Sequence, residues 1–301
     1  MNKNSFFIAL FTLLFCSIPL SAQNNEVTIS IDTLSNKVYM LTGRGGNIGI
    51  YVGTKNVFMI DDQFAPISDK IMKAIESLSN KPISFLFNTH MHGDHSGGNA
   101  KFNTDQTSII AHQKARVRIQ ENMKRNLDAQ KITQEYYDLM LPEITFTDDL
   151  TIHDGDETIM AIHVHNAHTD GDAIIYFSDS NVIHMGDTYF AGRYPYIDLR
   201  SGGSVDGLIE AQKKALMVIN DDTKVIPGHG RPSNKKEMIA YLEMLETIKA
   251  KVLTAIQEGK SQEEIKADSS LTAAYDATHG TGFIKPEVMR ETFYKSLYTE
   301  D

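Results

Sequence analysis

Apolar and polar positions along the chain fall into stretches of two different periods. Short apolar or alternating runs at 27–31, 37–41, 47–52 and 57–60, bounded by Asn, Gly and Lys turn residues, predict an opening series of β-strands. Over 67–78 the period changes. Ile71, Met72, Ile75 and Leu78 recur at helical spacing, with Ser68 and Asp69 near the start, where a helix needs acceptors for its free N–H groups. A buried strand is predicted at 83–87, followed by a loop dense in histidine. Strand, helix, strand, loop is an α/β pattern.

Residues 113–141 are rich in Lys, Arg, Gln and Glu and predict a helical bridge to a second group of strands. That group starts near Ile144 and continues through 157–165, 173–177 and 181–184, and a helix follows at 204–219. Ser201 to Ser204 suit a helix cap. The stretches 235–259 and 286–297 read as amphipathic helices. No low-complexity linker sets them apart, so residues 23–301 read as one domain with a helical C-terminal tail.

The 301 residues are 41% apolar and 23% charged, which excludes long disorder, a collagen-like chain and a polytopic membrane protein. Lys plus Arg number 29 against 39 Asp plus Glu, a net charge of -10 that repels polyphosphate and disfavours nucleic-acid partners. Lys3 precedes an apolar run at 6–20 and then Ser21-Ala22-Gln23, the pattern of a secretory signal cleaved after Ala22. The run is shorter than the roughly 20 residues that span a bilayer. Residues 1–22 are therefore expected to be removed, leaving an exported, periplasmic protein without stable membrane association. Cys16, the only cysteine, would leave with them, so stability must come from packing or from metal rather than disulfides.

The chemistry concentrates at Thr89 to His95, where three imidazoles and a carboxylate stand within six positions. Imidazole nitrogen and carboxylate oxygen are ligands that zinc accepts at about 2.0–2.2 Å. Gly93 lets the backbone turn so that His90 and His92 face one ion while Asp94 and His95 face another. Asp187 and His229 each follow a short apolar strand, where a ligand is held rigidly.

His90, His92, Asp94 and His95 match the HxHxDH signature of the metallo-β-lactamase superfamily of binuclear hydrolases. His168 in His-Thr-Asp-Gly-Asp resembles that family's third histidine, Asp187 in Gly-Asp-Thr its bridging aspartate, and His229 in Pro-Gly-His-Gly its final histidine. The resemblance runs over roughly 38–232. It implies an αββα four-layer sandwich with two zinc ions at one edge. His90, His92 and His168 would hold the first ion and Asp94, His95 and His229 the second, with Asp187 between them. A hydroxide shared by the ions would attack a substrate carbonyl, with Asp94 orienting or relaying the proton.

What the resemblance implies is an exported hydrolase of a small ester, thioester, lactone or amide, with β-lactams among the candidates. The Gly-Asp-Thr and Gly-His-Gly triplets are similar to glyoxalase II and to exported cyclase-like relatives. The best-known β-lactamase subclass places a cysteine on the second zinc, and the cysteine-free subclass usually has Ser where Asp187 stands. Both differences point away from a specialised resistance enzyme. The alternative on the same scaffold is an iron-dependent oxidoreductase resembling persulfide dioxygenases.

Other residues carry weaker signals. His163 and His165 form a second HxH pair without an adjacent carboxylate, His184 reads as packed or hydrogen-bonded, and His112, His153 and His279 stand alone. Asp61 or Asp62, and Thr169, are candidates to hydrogen-bond ligand histidines. Tyr189, Arg193 and Tyr194, directly after Asp187, are expected to line a substrate groove, and Arg193 or Arg200 to meet a substrate carboxylate.

Overall fold

Two β-sheets take up the short apolar runs, and the helices cover their outer faces. A computed structural model describes residues 27–298, so the expected signal segment lies outside the described residues. The chain opens with β1 (Ser30–Thr33), β2 (Val38–Thr42), β3 (Ile48–Val52), β4 (Val57–Ile60) and the short β5 (Gln63–Phe64). Then come α1 (Ser68–Leu78), β6 (Ile83–Asn88), α2 (Gly93–Ser96), α3 (Asn99–Phe102), β7 (Ser108–His112), α4 (Gln113–Asp128), α5 (Gln134–Leu139) and β8 (Ile144–Phe146).

The second half holds β9 (Asp149–Asp154), β10 (Glu157–Val164), β11 (Asp172–Phe177), β12 (Val182–His184), α6 (Val205–Val218), β13 (Lys224–Ile226) and β14 (Ser233–Asn234). It ends in α7 (Lys235–Gln257), α8 (Gln262–Ala267), α9 (Ala273–His279) and α10 (Pro286–Leu297). One sheet has the order β1-β2-β3-β4-β6-β7-β8, and the other β14-β13-β12-β11-β10-β9.

The layers follow from where alternate side chains go. On β11, Ala173, Ile175 and Phe177 meet Tyr51, Phe58 and Ile110 of the first sheet, forming the core between the sheets. Ile174 and Tyr176, one residue out of phase, face Leu208, Met244, Leu245 and Phe293 of the helices outside. On the other flank Leu41, Met59 and Leu86 pack against Ile71 and Ile75 of α1 and Phe102 of α3. Each such side chain, fully buried, favours the fold by about 1.5–3 kcal/mol. The order helix, sheet, sheet, helix is the expected αββα sandwich.

Several boundaries differ from expectation. Ile144 does not open the second group of strands, because β8 pairs in parallel with β7 in the first sheet. Parallel neighbours need a crossover, and the polar helical stretch after β7 supplies it as α4 and α5. α1 begins without a side-chain cap; a preceding 3-10 turn at Ala65–Ile67 lets the Ser68 N–H bond to the Ala65 carbonyl instead. α6 begins as expected, Ser204 Oγ accepting from the Gly207 N–H at 3.0 Å. Among the described residues no helix is long and apolar enough to cross a membrane.

Candidate metal centre

The dense histidine loop leaves β6 of the first sheet, while His168, Asp187 and His229 leave β10, β12 and β13 of the second. All reach the same edge of the sandwich. There they form two groups, His90, His92, His168 and Asp187, and Asp94, His95 and His229, the ligand atoms within each group lying within 4.8 Å of one another. Asp187 faces both: Oδ1 is 3.0 Å from His95 Nε2 and 3.4 Å from His229 Nε2, while Oδ2 is 3.7 Å from His168 Nε2 and 3.9 Å from His90 Nε2. Asp94 Oδ2 lies 3.2 Å from His229 Nε2.

The hydrogen bonds on the far side of each ring decide which nitrogen is left open. His90 Nδ1 donates to Thr89 Oγ1 (3.0 Å), His92 Nε2 to Asp198 Oδ2 (3.1 Å), His168 Nδ1 to the Tyr196 carbonyl (2.8 Å) and His95 Nδ1 to Asp61 Oδ2 (2.7 Å). The opposite nitrogens therefore present lone pairs to the centre of the cluster. His168 Nε2 and His92 Nδ1 meet in this way at 2.8 Å, close enough for both to serve one ion. The buried His90 Nε2 and Asp187 Oδ1 find no hydrogen-bond partner among the described residues. Open lone pairs, an orphaned carboxylate oxygen and mixed N/O donors fit a pair of divalent cations.

The charges agree with this division. Burial pushes His90 and His168 down, His168 to about 4, so both rings are neutral and able to donate. Burial also works against charging His95 and His229, but Asp187 and its neighbouring carboxylates overcome it and hold both rings up, His229 at about 9. Asp187 is itself raised by burial and then carried well below the ordinary carboxylate range by His95 and His229. A cation on that side replaces protons.

One carboxylate behind the rings serves both groups. Asp61, fully buried, accepts from the Thr89 N–H (2.7 Å), from Thr89 Oγ1 (2.8 Å) and from His95 Nδ1. It thus orients His95 directly and His90 through Thr89. Of the two candidates Asp61 and Asp62, only Asp61 does this, since Asp62 Oδ1 accepts from the Gly98 N–H (2.7 Å). Thr169 bonds to Asp172 instead of to a ligand ring. Asp198, which the sequence did not single out, orients His92. Its only local sign is the stretch Tyr196-Ile197-Asp198, whose backbone also holds His168.

Glycines let neighbouring chain press against the cluster. A Cβ on Gly46, in the turn between β2 and β3, would collide with the His95 ring, and one on Gly228 would collide with Asp187 Oδ1. The remaining histidines fall outside the centre. His163 stacks on His112, ring centroids 3.7 Å apart, with His165 edge-on; His184 Nε2 donates to the Asn47 carbonyl at 3.0 Å; and His279 lies beside Tyr194.

A cavity of about 590 Å³ opens over His92, Asp94, Asp187 and His229, walled by Phe64, Phe190, Tyr194, Tyr196, Phe283 and Ile284, with Arg193 at its side. Phe190 stacks on the His229 ring, centroids 5.5 Å apart. Arg193 and Tyr194 are among the residues lining the cavity, and the Tyr194 hydroxyl donates to Asp276 Oδ1 at 2.8 Å. Tyr189 is not. Its ring is buried against Tyr241 and its hydroxyl bonds Ser233 Oγ (2.7 Å), because the chain just after Asp187 still runs through the core. Arg200 is also absent from the cavity wall.

A sequence model of the Metallo-beta-lactamase superfamily matches residues 41–229, from β2 to the last histidine of the cluster. A curated relative, the alpha subunit of 2,4-dinitroanisole O-demethylase from Nocardioides sp. (strain JS1661), is 23% identical over 245 residues, covering 80% of this chain and 70% of that protein. Among solved structures, the stereoselective inverting sec-alkylsulfatase Pisa1 from Pseudomonas sp. superposes with a TM-score of 0.70 at 15% identity. The match covers 90% of this chain but 51% of the alkylsulfatase, so the chain spans about half of that protein's length. The DIM-1 metallo-beta-lactamase superposes with a TM-score of 0.60 at 17% identity, covering 74% of this chain and 99% of that one. The family match over most of the two-sheet sandwich, together with the fold shared with solved metallo-beta-lactamases, makes this chain a member of the metallo-beta-lactamase superfamily.

Proposed function

We propose that the protein is a zinc-dependent hydrolase acting on a small ester, thioester, lactone or amide. The observation that carries this reading is the position of Asp187, whose two carboxylate oxygens separate two sets of inward-facing donors. His90, His92 and His168 would hold one cation and Asp94, His95 and His229 the other, with Asp187 reaching both. When bound, such a pair polarises a carbonyl and lowers the pKa of water towards neutrality.

The protein's own groups do the rest. The aromatic walls exclude water from the acyl part of a substrate and favour apolar groups beside the reacting carbonyl. Asp94, half-buried at the cavity wall and held below the ordinary carboxylate range despite its burial, largely by His229, is ionised and placed to accept the proton of the attacking water. In hydrolysis the water oxygen bonds to the carbonyl carbon, the bond to the leaving group breaks, and that group departs with the electron pair and gains a proton. We further propose that the protein acts after export, as its opening residues suggest.

The test is metal analysis of protein purified without added metal, combined with a panel of chromogenic ester, thioester, lactone, cephalosporin and phosphodiester substrates. A secondary alkyl sulfate and 2,4-dinitroanisole join the panel because of the two relatives. About two zincs per chain, with chelator-sensitive turnover of a carbonyl substrate, supports the reading. Iron with oxygen consumption, or sulfate or ether cleavage alone, replaces it.

A further inference from the structure

Asp187 and His229 leave different strands of the second sheet, yet one residue of the first sheet is tied to both. Asn47, fully buried just before β3, commits every polar atom it has. Its backbone N–H donates to the Gly228 carbonyl at 2.7 Å, and its side-chain Nδ2 donates to the carbonyls of Pro227 and Gly230, both at 2.9 Å. These three residues flank His229 in sequence. The Thr42 hydroxyl donates to Asn47 Oδ1 at 3.0 Å. Two carbonyl acceptors can be met only by the amide NH2, so the orientation of this side chain is fixed.

The remaining polar atom of Asn47, its carbonyl oxygen, leads to Asp187. His184, fully buried at the end of β12, donates its Nε2–H to that oxygen at 3.0 Å, and its Nδ1 accepts from the Gly186 N–H at 3.1 Å. Both bonds are made at once only by a neutral ring with its proton on Nε2. The ring lies close against β3, where a Cβ on Gly49 would come within 3.0 Å of His184 Cδ2. Gly186, directly before Asp187, has a left-handed φ of 50°, so the bond to His184 anchors a turn that other residues rarely adopt. A continuous chain of hydrogen bonds thus runs from the backbone around His229, through Asn47 and His184, to the turn that carries Asp187.

We propose that Asn47 and His184 are positioning residues that set Asp187 and His229 as one unit, and that they govern chiefly the cation on the Asp94, His95 and His229 side. The inference rests on the two-cation part of the reading above and is independent of the substrate. The neighbour of Asn47 completes the argument: the Gly46 N–H donates to the Asp94 carbonyl at 3.0 Å, so two consecutive residues hold that group from both sheets. Among the described residues, the rings of His90, His92 and His168 bond to Thr89, Asp198, Tyr196 and one another, and to neither Asn47 nor His184. Asp187 is shared, so the second cation feels the chain only through it. Donors held by such outer partners keep the geometry that cation affinity depends on.

The test is competition of a chelator of known affinity for the two cations of the zinc-loaded protein, with His229→Ala as the reference that marks which step belongs to its group. Asn47→Ala is expected to weaken that step by roughly ten- to hundredfold and the other by no more than a few-fold. His184→Gln keeps a donor near the Nε2 position but loses the acceptor for Gly186, and His184→Asn does the reverse; each is expected to weaken the same step by about tenfold. Should Asn47→Ala fail to fold, the two His184 variants decide. In 15N NMR of the loaded wild type, His184 is expected as the Nε2–H tautomer. Lowered melting temperatures with both affinities at the wild-type level, equal weakening of the two steps, or an Nδ1–H tautomer each overturn the proposal. Wild-type protein that binds fewer than two cations sinks the two-cation reading together with the proposal, unselective variants of a two-cation protein sink the proposal alone, and selective variants without turnover of any carbonyl substrate sink the hydrolase alone.

Discussion

Asp198 Oδ2 accepts a hydrogen bond from His92 Nε2 at 3.1 Å across 106 positions of sequence. This bond fixes which nitrogen of His92 faces the cluster, and the segment that provides it also holds His168 through the Tyr196 carbonyl. Asp198→Ala is expected to weaken the cation held by His90, His92 and His168 by roughly ten- to hundredfold. The other cation should be affected less. Competition with a chelator of known affinity measures both steps; equal weakening of the two would remove the assigned role.

Asp61 is expected to matter to both cations and to folding. It is fully buried, as is His95, so Asp61→Ala leaves His95 Nδ1 and two donors of Thr89 without their acceptor. Breaking a buried pair of this kind costs about 3–5 kcal/mol. Asp61→Asn keeps the shape but can satisfy fewer of the three donors, and should fall between wild type and alanine in denaturant midpoint.

Gly46→Ala is a small change with a local cost. The added methyl group would occupy the space of the His95 ring, so either the turn or the ligand moves. The expected result is loss of one cation per chain with the secondary structure unchanged, read by metal analysis beside circular dichroism.

His163 gives the fold an acid limit that does not involve the metal ligands. Burial, and after it His112, His165 and Lys114, hold this imidazole down at about 4 against an ordinary 6.5. The folded chain then binds fewer protons than the unfolded chain between these values. Stability is therefore full above pH 6.5 and lost as pH falls through about 4. His163→Gln should flatten this part of the stability profile, and an unchanged slope in urea titrations across that range would refute the assignment.

Phe283 is 86% exposed yet forms part of the aromatic wall, with its ring 6.4 Å from that of Tyr196. Phe283→Ala should raise KM for esters with longer acyl chains several-fold and leave the melting temperature close to wild type, since little of the side chain is buried. A large fall in melting temperature would mean the residue serves packing instead.

The centre was legible where its chemistry is contiguous. His90, His92, Asp94 and His95 lie within one loop, and the structure divides them between two groups as Gly93 allowed. Asp198 was not legible, because its partner is distant in sequence and an aspartate before a helical turn is also an ordinary cap. It serves as one here, accepting from the Arg200 and Ser201 N–H groups. Tyr189 was misjudged for the opposite reason: nearness to Asp187 in sequence says nothing about which way the chain turns next. The strand β8 was assigned to the wrong group because short strands carry no mark of the sheet they join, and only the crossover through α4 and α5 decides it.

The division of the donors between the sheets has a mechanical consequence. His90, His92, Asp94 and His95 hang from one layer and His168, Asp187 and His229 from the other, so cations seated among them rivet the two layers together at one rim. Such rivets can be withdrawn and replaced by chelation and resupply, which a covalent crosslink does not permit, and the sandwich should part first along that rim when they go.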